Sequence, residues 1–246
     1  MRLHQNLLLS SLFLALAAGG CKGWPPIPMG SQVSAPPAAV TAEKQSAATL
    51  TDAQVEQKPG WVQVVGALDL WKKGIAAAAV QQITKAQQLG GNDTTFFLHA
   101  GDMLAQAKAW PLAAVMYLNL KRIRPEDLPV DQLNKIHEAA YRSGEDPQAV
   151  RVYIIYQDPW LDLGRIRFKL RLGDVTTAAA DIQSVTSDAS LLAEFPEALM
   201  VETEVLIAQK QWHKANEDLD KLSTFANLPD WITREVSQLR GLAQPY

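Results

Sequence analysis

Few residues in this 246-residue chain have the type and spacing to do chemistry, and each that comes near lacks a partner. His137-Glu138-Ala139-Ala140-Tyr141 sets an imidazole at the start of a helical turn. Tyr141 stands where a second histidine would be needed to hold zinc. His99 and His213 have no ligating residue at useful spacing and read as surface or interface histidines. Glu202 and Glu204, two apart on a helix, point different ways and read as a solvated face. No Gly-x-Ser-x-Gly elbow, Walker loop or Gly-x-Gly-x-x-Gly turn occurs. Asn92-Asp93-Thr94 matches a glycosylation acceptor, and a loop opening a helix accounts for the same residues. The expectation is no metal, no cofactor and no enzymatic activity.

The lone thiol follows a different logic. Cys21 is the only cysteine, so disulfides within the chain and multi-thiolate metal sites are excluded. Ahead of it lie Arg2, an apolar run from Leu7 to Leu16, and the small-residue site Ala18-Gly19-Gly20-Cys21. That is the layout of a cleaved signal peptide over residues 1–20. It resembles a bacterial lipobox, with Ala18 where that motif prefers leucine. The resemblance implies cleavage before Cys21, palmitate or a similar acyl chain on that residue, and a lipoprotein resting on a membrane. Lys22, in place of an aspartate, resembles the outer-membrane sorting pattern of Gram-negative bacteria, which would leave the chain facing the periplasm. A Gram-positive surface lipoprotein remains the alternative. After residue 20 no apolar run approaches the ~20 residues of a spanning helix. Without the leader, 22 basic residues face 26 acidic ones, which is no footprint for nucleic acid.

Residues 21–59 read as the lipidated cysteine followed by a disordered linker. The stretch holds six of the fourteen prolines among Ala, Ser, Gln and Gly, with too little apolar surface to offset the entropy of ordering it. As a coil it would span roughly 30–37 Å, so the folded part could search a volume above the membrane. Trp24, close to the lipid, could rest among headgroups.

From residue 60 the texture changes to Ala, Leu and Val at helical spacing, and a motif recurs. Small residues stand at Ala79, Ala113, Ala149, Ala178 and Ala215. Four residues later come Ile83, Tyr117, Tyr153, Ile182 and Leu219, and seven later Ala86, Leu120, Tyr156, Val185 and Leu222. Five residues before each lies a turn residue: Gly74, Lys108, Gly144, Gly173 and Lys210. Positions i, i+4 and i+7 stack on one helix face, and a small first residue lets a neighbouring helix approach. The spacing predicts antiparallel helix pairs at 61–73 with 75–89, 94–107 with 110–123, 130–143 with 146–157, 160–172 with 174–186, and 195–209 with 212–226. Asp93, Asp146, Asp174 and Asp230 are placed to cap helices or lie in first turns. A last helix near 230–241, carrying Trp231, Ile232, Val236 and Leu239, would cover the end of the stack. Residues 163–172 alternate almost as a strand would, but a helix there puts Leu163, Ile166 and Leu170 on one face and Phe168 with Leu172 on the other.

This pattern resembles the tetratricopeptide repeat family. The best unit is 94–127, through Phe97, Ala100-Gly101, Leu104, Ala113, Tyr117, Leu120 and Pro125. Units four and five are degenerate, with Lys169 at an apolar place and an insertion near 186–195. The resemblance implies an all-α, right-handed solenoid of about five antiparallel helix pairs with a C-terminal capping helix, spanning 60–246. It further implies a concave groove, lined by the first helix of each pair, that takes other envelope proteins or peptides. That groove would comprise Trp61, Leu68 and Trp71; Leu98 and Asp102; Asn134, Glu138, Tyr141 and Arg142; and Trp160, Arg167 and Arg171. Packing between helices is the competing role for Trp61, Trp71 and Trp160, while Trp110 and Trp212 read as core. Lytic transglycosylases also have superhelical bodies, but the Glu-Ser pair around their catalytic acid is missing here.

The functional expectation is a membrane-anchored interaction scaffold or assembly factor for a cell-envelope complex, serving pilus secretins, outer-membrane protein insertion or cell-wall machinery. A cell-wall-acting enzyme and a peptide- or ligand-binding lipoprotein are the alternatives.

Overall fold

The computed structural model describes residues 52–244, and every regular element among them is helical. Cys21, the leader and most of the expected linker lie outside the described residues. The first short helix, α1 (Asp52–Glu56), falls within the stretch expected as linker. Val55 is fully buried and Lys58 pairs with Asp93 at the head of a later helix, so these residues gain enough contact to be held.

The helices then follow the recurring motif. They are α2 (Trp61–Lys72), α3 (Ala76–Gly90), α4 (Thr94–Gln106), α5 (Trp110–Ile123), α6 (Val130–Ser143) and α7 (Val150–Ile155). A 3-10 turn (Pro159–Leu161) leads into α8 (Asp162–Arg171) and α9 (Val175–Thr186). The remainder are α10 (Ala189–Glu194), α11 (Ala198–Ala208), α12 (Trp212–Leu222) and α13 (Asp230–Leu242). Ala79, Ala113, Ala149, Ala178 and Ala215 are all completely buried, as small residues at helix crossings should be.

Four of the five hairpin turns share one geometry. Gly74, Lys108, Gly173 and Lys210 have φ between 59° and 83°. At each, the residue's own N–H donates three residues back and the next N–H donates five back, as in Gly74 to Trp71 and Ile75 to Leu70. This left-handed stop closes a helix on its own last carbonyls.

The third unit departs from the beat. Gly144 keeps a right-handed φ of −65°, and the expected helix over 146–157 shortens to the six residues of α7. Pro147 brings no N–H, and Asp146 turns its carboxylate to the Gln148 N–H and, at 3.0 Å, to the Trp71 indole N–H. The segment thus docks on the end of α2, and α7 packs on α3, α5 and α8 instead of lying along α6. Asp93 and Asp174 cap α4 and α9, Asp230 opens α13, and Asp146 caps no helix but holds the turn and Trp71.

With α7 displaced, α6 meets α8 directly. A β-carbon on Gly164 would stand 2.3 Å from the Ala140 carbonyl and 2.4 Å from Ser143 Oγ, so only glycine permits this crossing. The alternating segment is the helix α8, with Leu163, Ile166 and Phe168 buried and Leu172 exposed, against its expected packing on a second side. Apolar side chains gather in two clusters, one built on α1 to α7 together with Leu161 and Phe168, and one on α8 to α13. Both α6 and α8 contribute to the two clusters, Ile136 and Phe168 to the first and Tyr141, Leu163 and Ile166 to the second. The insertion near 186–195 forms α10, which Asp188 caps and Leu192 anchors.

Candidate functional site

An open cleft of about 370 Å³ lies between α4 and α6 with α5 at its base, lined by Asp102, Ala105, Gln106, Trp110, Tyr117, Lys135 and Glu138. Asp102 sits at its centre. Its carboxylate accepts from the Tyr117 hydroxyl at 2.6 Å and from Lys135 Nζ at 2.6 and 2.8 Å. Burial first, and then Asp102, pushes the Tyr117 phenol well up, so it stays a neutral donor. At the far wall the Arg142 Nε–H donates to Glu138 at 2.9 Å while its guanidinium covers the Trp110 ring at 5.6 Å. Trp110 is therefore half-buried under a cation; Trp212 is likewise only half-buried.

Of the residues expected to line one groove, Asp102, Glu138 and Arg142 come together here. Leu68, Leu98 and Asn134 are half-buried on their helices. Trp61 and Trp71 are buried, Trp61 against His99 and Trp71 through its bond to Asp146. Trp160 is half-buried in an aromatic cluster with His137 and Phe195, at ring distances of 5.1 Å, and Lys121 lies 5.0 Å over its face. Arg171 is exposed.

Tyr141 and Arg167 lie inside the molecule, 0% and 2% exposed. Arg167 grips Glu204 of α11, its Nε donating to both carboxylate oxygens at 2.8 Å. Its Nη1 donates to Glu145 at 2.7 Å, and its guanidinium stacks 3.8 Å from the centre of the Tyr141 ring. Tyr141 in turn donates its hydroxyl to Glu204 at 3.0 Å. Glu235 of α13 lies 3.9 Å from Arg167 and 3.7 Å from Arg142, contacts too long to be good hydrogen bonds. Burial raises the Glu235 carboxyl above its ordinary value although both arginines oppose this. Burial would strip Arg167 of its proton, but Tyr141, Glu204 and Glu145 more than reverse that, holding it charged. The arrangement is a charged knot joining α6, α8, α11 and α13.

Lys135, Gln106, Glu145 and Glu235 were missed from the sequence, and Glu204, expected on a solvated face, is instead largely enclosed with Arg167 and Tyr141. One signal was available for Glu204: apart from Glu202, Thr203 and Glu204, α11 is apolar throughout, and a carboxylate on an enclosed helix needs a buried cation. A larger open cleft of about 740 Å³ lies between α3, α5 and residues 155–159. There Tyr156 donates to Gln87 at 2.7 Å, and Arg122 donates to Asn119 and to the Gly91 carbonyl.

Among the described residues no three His, Cys, Asp or Glu side chains converge as a metal site would require. No helix among them is long and apolar enough to cross a membrane. No protein-family model matches the chain, and neither a characterised protein nor a solved structure matches it significantly.

Proposed function

We propose that the chain is a lipid-anchored helical-repeat scaffold of the cell envelope, tethered through Cys21 at the outer membrane and facing the periplasm. In this reading its four helix hairpins and the displaced third unit form a right-handed, tetratricopeptide-like superhelix that holds or pilots a protein partner during assembly of an envelope machine. Support for the repeat reading comes from the four identical left-handed turns and the five buried alanines. Support for a binding role comes from one observation above others. The cleft between α4 and α6 offers an ammonium and two carboxylates within reach of solvent, beside the Trp110 ring capped by Arg142. Aromatic and arginine side chains in such a setting make strong anchoring points for a partner, and surface charges set which partner is accepted.

Capture of the acylated protein from detergent-solubilised native membranes tests this. An envelope protein retained by the wild type and lost with Lys135→Glu is the expected result. Recovery of no envelope protein, or recovery unaffected by Lys135→Glu, contradicts it. Radiolabelled palmitate should enter the wild type and not Cys21→Ala.

A further inference from the structure

The cleft of about 740 Å³ between α3, α5 and residues 155–159 shares no residue with the α4–α6 cleft. It lies between second helices: Val115, Asn119 and Arg122 recur on one face of α5, opposite Gln87 and Gly91 at the end of α3. Its apolar wall comes from Val115, Leu118, Ile155 and Pro159, and Ile155 is left 53% exposed. The polar groups of Tyr156, Gln87 and Asn119 are spent on neighbours. The Tyr156 hydroxyl donates to Gln87 at 2.7 Å and lies 2.9 Å from Thr84 Oγ1. Gln87 and Asn119 both donate to the Val115 carbonyl, at 3.4 and 3.0 Å.

Arg122 is the exception. Its Nε donates to Asn119 Oδ1 at 3.2 Å and its Nη2 to the Gly91 carbonyl at 3.0 Å. Asn119 is itself only 5% exposed, so the guanidinium is steadied from below. Both acceptors are neutral, and among the described residues no carboxylate pairs with Arg122 and its Nη1 has no partner. The other arginines that make side-chain hydrogen bonds among those residues, Arg142, Arg165, Arg167 and Arg240, each meet a carboxylate. A guanidinium held in place with its charge unmatched is prepared for an anion, because little freedom remains to be lost on binding.

We infer that this cleft binds a small monocarboxylate with an apolar body, the carboxylate on Arg122 and the body against Leu118, Ile155 and Pro159. Its volume falls in the range of small-molecule sites. One cation matches one negative charge. A dianion such as a phosphate monoester would also meet Asp158 in the wall, whose carboxylate takes the Trp160 N–H at 3.0 Å. An apolar molecule without charge would cover Ile155 and leave Arg122 unmatched.

Titration of the full-length protein with 4-phenylbutyrate at pH 7, followed through isoleucine methyl resonances, tests the assignment; Ile155→Val identifies the signal concerned. The Ile155 resonance should move saturably, with a dissociation constant on the order of a few millimolar or tighter for a ligand of this size. 4-Phenylbutanamide, which keeps the shape and loses the charge, should bind at least about tenfold more weakly, the worth of a charged hydrogen bond. Arg122→Gln should weaken 4-phenylbutyrate by a similar factor. Because Arg122 also ties the Gly91 turn, Ile155→Glu serves as a second variant: it leaves those bonds intact, sets an anion beside the apolar body, and should likewise weaken binding about tenfold. An Ile155 resonance that does not respond, or equal binding of the amide or of 4-phenylbutylamine, overturns the proposal. So does undiminished binding to either variant.

Discussion

Lys108 and Lys210 hold left-handed backbone, at φ 59° and 61°, where the equivalent turns use Gly74 and Gly173. An L side chain pays roughly 1–2 kcal/mol for that conformation, while glycine loses about 0.5–1 kcal/mol through its freer unfolded chain. The difference favours glycine. Lys108→Gly and Lys210→Gly should each stabilise the protein by about 0.5–1 kcal/mol in urea unfolding, with the slope unchanged. Loss of stability in both would mean that these turns are not left-handed in solution. Asp218 carries the opposite kind of strain. Burial, and then the neighbouring Glu202 charge, pushes its carboxyl from 3.8 up to about 6, and its Oδ2 has no partner. A carboxyl whose folded pKa is raised favours the fold below pH 4 and loses that advantage as pH climbs through about 6. Asp218→Asn should therefore raise the melting temperature at pH 7 and have no effect near pH 3.5. The side chain is only partly buried, so the gain is about 1 kcal/mol after solvent screening, or some 2–4 °C. Equal melting shifts at both pH values would contradict the assignment.

At the scale of elements, Arg167 holds α8 to α6, α11 and α13 at once. Removing one member of a buried charged set leaves the others unpaired, at about 3–5 kcal/mol, whereas replacing the pair by apolar groups is often neutral. Arg167→Met should thus lower the melting temperature by on the order of 10 °C, and Arg167→Met combined with Glu204→Leu should recover much of it. A single substitution that costs nothing would contradict the knot. Four of the five expected hairpins were legible in the sequence because i, i+4 and i+7 spacing is local, and every alanine it singled out is buried. Arg167 was not, because its partners Glu145 and Glu204 lie 22 and 37 residues away, and alternation with Ile166 and Phe168 looks the same whether a cation faces water or carboxylates. The shortened α7 escaped for a similar reason. What holds its leading turn is Trp71, 75 residues earlier, and no local spacing reveals that. The cleft was legible in part: Asp102, Glu138 and Arg142 sit at the groove positions of first helices, while Lys135 and Gln106 enter through the angle at which α4 and α6 meet.

Across the described residues, one apolar cluster covers α1 to α7 and another α8 to α13, with α6 and α8 shared and Arg167 fastened over the join. The central claim is that the α4–α6 cleft is where a protein partner sits. Gln106 is exposed at its rim, so a photo-cross-linking residue placed there in the native host tests the claim most directly. One discrete adduct, formed in intact cells and lost when Lys135→Glu is added, is the predicted result. Irradiation that gives no adduct, or an adduct indifferent to Lys135→Glu, would contradict it.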